Sequence, residues 1–169
     1  MNNETIENDA AVSKPAGRNL QLVHAGASEF GIFADEISTI VVWQEPTPLP
    51  HAPKAVLGVV SIEGRMLTVL DLAVLLAGDG ALGNAPSNAA AYLIALRGDE
   101  QIALAVEAVN EIIALTPNDS ISDSIAKPET QAKPLLGVLK REDAEVKILN
   151  LKGLFPTAIH ERQRRNRRF

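Results

Sequence analysis

Three histidines, His24, His51 and His160, are the side chains best suited to proton transfer or metal ligation in this 169-residue chain, and their placement supports neither. His24 falls in a strand-like run, His51 lies between Pro50 and Ala52, and His160 is near the last residue. No pair has the i, i+4 or His-x-Glu-His spacing that holds a metal. The chain has no cysteine, which excludes disulfides and thiolate metal sites. Its glycines form neither G-x-G-x-x-G nor G-x-x-x-x-G-K-S/T, and Gly78-Asp79-Gly80 leads into further loop, not into a helix that would cradle phosphate. Ser61 and Ser87 lack a G-x-S-x-G setting. The acidic pairs Asp35-Glu36, Asp99-Glu100 and Glu142-Asp143 lie at expected turns, where solvation is their ordinary role, and nothing singles out a catalytic dyad. The residue types point to a protein that is not an enzyme and uses no cofactor.

Charge and aromatic content weigh on binding. The net charge is −5, yet the last ten residues, HERQRRNRRF, hold five arginines and one glutamate. That tail carries +4, which leaves −9 on the rest and disfavours nonspecific binding to nucleic acid or anionic lipid. The six aromatic side chains supply few stacking platforms, and Arg65, Arg97, Lys140 and Arg141 are scattered rather than striped. A nucleic-acid-binding barrel that uses residues 162–168 is the alternative reading. The opening MNNETIENDAAVSKPAG lacks the charged and apolar regions of a secretion signal. No apolar run approaches the roughly 20 residues needed to span a bilayer. A soluble cytoplasmic protein is expected.

The elements that position these residues are short strands. Apolar residues make up 46% of the chain, mostly Val, Ile, Leu and Ala, a core composition that favours strands. Residues 1–18 read as a disordered leader. Strands are expected at 19–25, 29–34 and 39–44, with one helical turn at Asp35–Ser38. PTPLPHAP (46–53), with four prolines, is an extended connector that cannot enter a ladder. Leu57–Ile62 and Arg65–Leu70 flank a tight turn at Glu63-Gly64, after which Asp71 caps a short helix. A small-residue loop spans 77–90. Strands follow at 91–97, 102–106 and 110–116, a long loop at 117–134, a hairpin at 135–140 and 145–149, and a short helix at 150–155. The basic tail occupies 156–169.

The chain also repeats itself. LGVVSIEGRMLTVLDLAVLL (57–76) returns as LGVLKREDAEVKILNLKGLF (136–155), displaced by 79. EFGIFADEISTIVVW (29–43) is similar to QIALAVEAVNEIIAL (101–115), displaced by 72. Two segments repeated in one order indicate a small architecture built twice. The expected fold is all-β: two small barrels of about five strands, divided near 77–90, with short helices at their ends. A barrel of some 65 residues is marginal alone, so the two should pack over a shared apolar face that includes Leu70 and Leu149.

PLPHAPKAVLGVVSIEGRMLTVLDL (48–72) resembles the core signature of CheW-like domains, roughly P-x-x-P and then G-V-x-N-L-R-G-x-x-x-P-V-x-D-L. Pro50, Pro53, Gly58, Val59, Gly64, Val69, Asp71 and Leu72 occupy matching positions. IALAVEAVNEII (102–113) is similar to the family's G-x-x-V-D-x-V-x-x-V segment, and the resemblance runs from about Asn19 to Phe155. It implies two five-stranded SH3-like barrels on a common core. It also implies an adaptor that joins the cytoplasmic tip of methyl-accepting chemoreceptors to the regulatory domain of a CheA-type histidine kinase, in chemotaxis or pilus-based motility. Such a protein would be recruited to membrane-associated receptor arrays.

The chain departs from the pattern at specific residues. Ser61-Ile62-Glu63-Gly64 stands where the family has N-L-R-G, so an acid replaces a guanidinium fork. Thr68 replaces a proline, Glu107 an aspartate, and Thr39 an often acidic position. On this basis the interface candidates are Ile37, Ile40, Gly58, Glu63, Gly64, Arg65, Val106 and Glu107. Ile37, Ile40 and Val106 serve equally as ordinary core. Gly58 and Gly64 serve hairpin geometry. Glu63 is either a solvated turn acid or a contact, with Arg65 offering a cation on the same strand face.

Overall fold

The computed structural model describes residues 17–77, 89–98, 101–122 and 135–154. The leader up to residue 16, most of the 77–90 loop, the 123–134 part of the long loop and the tail from 155 lie outside the described residues. The chain is all-β with short helices. Strands β1 (Asn19–Ala25) and β2 (Ser28–Phe33) form a hairpin, and a 3-10 turn (Ala34–Glu36) leads to β3 (Ile37–Val42). A second hairpin, β4 (Val56–Ile62) and β5 (Arg65–Asp71), runs into helix α1 (Leu72–Ala77). Then come β6 (Tyr92–Leu96), β7 (Ile102–Val106), β8 (Ala108–Ala114), β9 (Ile121–Ser122), β10 (Leu135–Arg141) and β11 (Ala144–Leu149), with a helical turn at 151–154. The helical turn expected at Asp35–Ser38 is shorter because Ile37 is extended and buried. A two-residue strand, β9, lies within the loop expected at 117–134.

The strands form two sheets, ordered β8-β1-β2-β11-β10-β9 and β3-β6-β7-β5-β4, each curled into a small SH3-like barrel of five principal strands. The second barrel is one continuous stretch, 37–106, and the first is assembled from 19–33 and the residues after 107. The sequence copies on either side of 77–90 therefore exchange strands. β5 pairs in parallel with β7 of the other copy, Thr68 opposite Ile102, and β11 pairs in parallel with β2, Lys147 opposite Phe30. Displacing Thr68 by 79 gives Lys147, and displacing Phe30 by 72 gives Ile102, so the two parallel seams share one register. The hairpins repeat too: the irregularity between Val56 and Gly58 recurs between Leu135 and Gly137, 79 residues on.

Alternation within the strands divides the core into three clusters. Val60, Leu67, Val69, Leu93 and Ala103 fill the 37–106 barrel, and Leu20, Leu22, Phe33, Leu139 and Ile148 fill the other. Between them lies a shared cluster that takes Phe30, Ile32 and Leu149 from one barrel and Leu70, Ile94 and Leu104 from the other. Leu70 and Leu149 meet in that shared face, as the repeat leads one to expect. Among the described residues no helix is long and apolar enough to cross a membrane.

Asp71 sits at the end of β5 with 3% of its surface exposed, and its Oδ1 accepts a hydrogen bond from Val74 N at 3.2 Å. This is an N-cap, satisfying a donor that the first turn of α1 cannot satisfy itself. Asp71→Ala should cost about 1–2 kcal/mol, whereas Asp71→Asn, the residue type found at the equivalent position 150, should cost under about 0.5 kcal/mol. Thermal unfolding of the two variants checks the order.

Candidate functional site

The β4–β5 hairpin carries four of the candidate residues, at its two ends. At the tip, Ile62 pairs with Arg65 across Glu63 and Gly64, whose φ values are +51° and +77°. Positive φ at both central residues defines a type I′ turn, whose twist matches the flanking strands. Gly64 takes this conformation freely, whereas Glu63 pays about 1 kcal/mol for its Cβ. Glu63 is exposed, and Arg65, half-buried, reaches the carbonyl of Gly98 at 3.4 Å. At the other end Gly58 has φ +144°, and a Cβ there would lie 2.2 Å from the carbonyl oxygen of Thr47. Thr47 and Val59 exchange both backbone hydrogen bonds, at 2.8 and 2.9 Å. Flanked by Pro46 and Pro48, Thr47 supplies the donor that pins the proline connector to the edge of β4. Gly58 thus acts through geometry, some 16 Å from the tip by strand rise.

The remaining candidates lie elsewhere. Val106 is 1% exposed and Ile37 9%, and both belong to the shared core cluster, so as contact residues they are corrected to core. Every residue of β7 is buried, because it runs through the middle of its sheet and packs on both faces. Ile40 is partly buried against the same cluster. Glu107 is the bend between β7 and β8. Its Oε1 accepts from Gly26 N at 3.2 Å, its Oε2 lies 3.4 Å from His24 Nδ1, and its own N–H donates to the His24 carbonyl. The parallel seam puts Glu107 at the opposite end of the sheet from Glu63, more than about 20 Å away by strand rise. The eight candidates do not form one site; the exposed ones concentrate at the Glu63–Arg65 tip.

The second hairpin shows what the copies do differently. On the outward row of the first, Ser61 faces Met66 and Val59 faces Thr68; on the second, Lys140 faces Glu145 and Val138 faces Lys147. One face is uncharged, with Met66 57% exposed, and the other is laced with charge. The second tip, Lys140–Ala144, borders an open groove of about 640 Å³ with Glu29 and Glu111, in which Arg141 pairs with Glu111 at 3.3 Å. Among the described residues no group of three or more His, Asp or Glu is placed to hold a metal ion.

Two residues outside the candidate set are anchored firmly. Arg18, which the sequence places in the leader, belongs to the fold: it stacks on Phe33 with its guanidinium 3.6 Å from the ring centroid and binds both carboxylate oxygens of Asp35. Those hydrogen bonds, and then the guanidinium charge, hold the Asp35 carboxyl below its ordinary value. Arg97 donates from its backbone to the Glu36 carbonyl and from Nε to the Ile37 carbonyl, both at 2.9 Å. The sequence signal for either was slight, since their partners lie 15–61 residues away.

Comparisons with known proteins accord with this geometry. Residues 19–158 match the family model of the CheW-like domain. The chain is 27% identical over 145 residues to the chemotaxis protein CheW of Rhizobium meliloti, covering 86% of this chain and 92% of that protein. It is 26% identical over 146 residues to a probable chemotaxis protein CheW of Rhizobium etli, covering 82% and 87%. The crystal structure of the scaffolding protein TtCheW from Thermoanaerobacter tengcongensis superimposes with a TM-score of 0.67 at 21% identity, over 82% of this chain and 92% of that one. The family match spans both barrels and both hairpins, and the chain belongs to the CheW-like domain family.

Proposed function

We propose that this protein is a non-catalytic adaptor that couples chemoreceptors to a CheA-type histidine kinase, in chemotaxis or pilus-based motility. The observation that carries this reading is the family match over 19–158, which takes in both barrels. Two barrels of one design with differently charged outward hairpins give one molecule two unlike surfaces, as an adaptor between two partners requires. The partners are the regulatory domain of the kinase and the cytoplasmic tip of a methyl-accepting receptor, and the adaptor works in the cytoplasm at receptor arrays. The contact assigned to the 37–106 barrel is the exposed tip Glu63-Gly64-Arg65, with Ile40 and Glu107 as lesser candidates. Reconstitution with receptor and kinase tests the reading: receptor-controlled kinase activity should depend on the adaptor. A correctly folded protein that binds neither partner at micromolar concentration sinks it.

The tip supplies a sharper measurement. Glu63→Arg keeps the same side-chain demand on the left-handed backbone, so the melting temperature should move by less than about 2 °C. Reversing the charge at a contact should change affinity for one partner about tenfold or more, measured by calorimetry. Lost stability with unchanged affinity would make Glu63 a structural residue.

A further inference from the structure

The groove beside the second hairpin tip is lined largely by acids. Four stretches of chain bring five carboxylates to it: Glu29 of β2, Glu111 of β8, Asp119, and Glu142 with Asp143 at the β10–β11 turn. Lys140 and Arg141 are the two cations on the lining, which leaves an excess of three negative charges. Among the described residues no three acids are placed to hold one metal ion, so the groove suits a row of separate cations. The same chain carries such a row. Residues 162–168, RQRRNRR, hold five arginines and no acid. We propose that this arginine run docks in the groove of its own chain and covers the tip of the second hairpin.

The tether allows the contact. Leu151 and Leu154 are buried in the shared cluster, which fixes where the tail begins. From the groove rim at Ala144 the chain runs the length of β11, about 17 Å by strand rise, and then turns at 151–154. Eight residues lead from Leu154 to Arg162 and fourteen to Arg168, spans of up to about 26 and 46 Å when extended. The carboxylates keep room for new donors. Glu29 accepts from Asn110, Asp119 accepts from Thr116, and Glu111 pairs with Arg141, yet a carboxylate offers about four acceptor sites. Guanidinium forks match such groups better than point cations do. The first hairpin offers no comparable target, since its outward row is uncharged and its tip sets Arg65 beside Glu63. Exposed ion pairs are weak singly, but a short tether holds the arginines at roughly millimolar effective concentration, so several pairs form together at low salt. While docked, the tail hides the charged tip, and any ligand of that tip must displace it. The docking itself needs no partner and stands apart from the adaptor reading.

The chain has no cysteine, so Asn166→Cys places a single spin label within the arginine run of the full chain. At about 50 mM salt the label should broaden the backbone amide signals of Lys140–Ala144 at least about twofold more than those of Ile62–Arg65. The difference should vanish at about 1 M salt, where the Debye length is about 3 Å. Glu142→Gln with Asp143→Asn neutralises two exposed carboxylates of the groove and should cut the broadening by about half. Arg164→Gln with Arg165→Gln changes only the tail and should do the same. No broadening at the groove, or equal broadening at both hairpins, overturns the proposal, as does broadening that either double variant leaves unchanged. Mixing the spin-labelled chain with an isotope-labelled chain that lacks the label identifies the occupant. Broadening carried from one molecule to the other would assign the groove to the tail of a second copy and overturn docking within one chain.

Discussion

Gly58→Ala is expected to destabilise the protein by about 3 kcal/mol or more, read as a shift of the denaturant midpoint at unchanged slope. Two costs combine. A φ of +144° is strained for any L side chain, and such strain costs about 1–3 kcal/mol. The added methyl must also displace the Thr47 carbonyl from 2.2 Å, and overpacking of that kind costs about 1–3 kcal/mol. Backbone, not a flexible side-chain tip, blocks the way, so relief requires breaking the two Thr47–Val59 hydrogen bonds. Gly64→Ala is the internal control. It too has positive φ, +77°, but nothing lies within 4 Å of the added carbon, so strain alone should cost about 1–2 kcal/mol. Equal losses at the two glycines would mean that the Thr47 contact contributes nothing. A larger loss at Gly58 identifies it as the residue that lets the proline connector cover an edge strand, and the Glu63–Arg65 tip inherits its register from that covered edge.

How much of this could be read from the sequence differs by kind of information. The Glu63-Gly64 turn and the Asp71 cap were legible because each is a local event whose chemistry lies within four residues. The hairpin repeat was legible because the glycine and its flanking apolar residues recur at one displacement. The exchange of strands between copies was not legible. Periodicity says that Ile102, Leu104 and Val106 face something apolar, but not that β7 lies parallel to β5 rather than beside its own copy's hairpin. The interface candidates divide in the same way. Ile37 and Val106 matched family positions, yet position in a motif does not separate a surface residue from one buried by a strand more than 30 residues away. Arg18 escaped for the converse reason: a polar run followed by one arginine looks like leader until Phe33 and Asp35 are placed beneath it.

The shared cluster predicts the strongest and most diagnostic loss of stability. Leu70→Ala and Leu149→Ala should each cost about 2–5 kcal/mol, since both side chains are essentially fully buried and neither backbone can collapse into the space left. They are equivalents, 79 residues apart, on opposite sides of the face where the barrels meet. The larger claim concerns how the loss is distributed. If the barrels were separate folding units, Leu70→Ala would weaken the 37–106 barrel and leave Leu20, Leu139 and Ile148 of the other protected. Because the shared cluster takes side chains from both barrels, and the first barrel is built from both ends of the chain, the two should unfold together. Hydrogen exchange followed strand by strand should therefore show both barrels losing protection by the same amount in either variant. Fluorescence of Trp43, which follows β3 in the continuous barrel, should report the same midpoint for Leu149→Ala as far-ultraviolet circular dichroism. Two midpoints would show that the interleaved sheets are joined without being coupled, and would leave the two outward hairpin faces free to be lost one at a time.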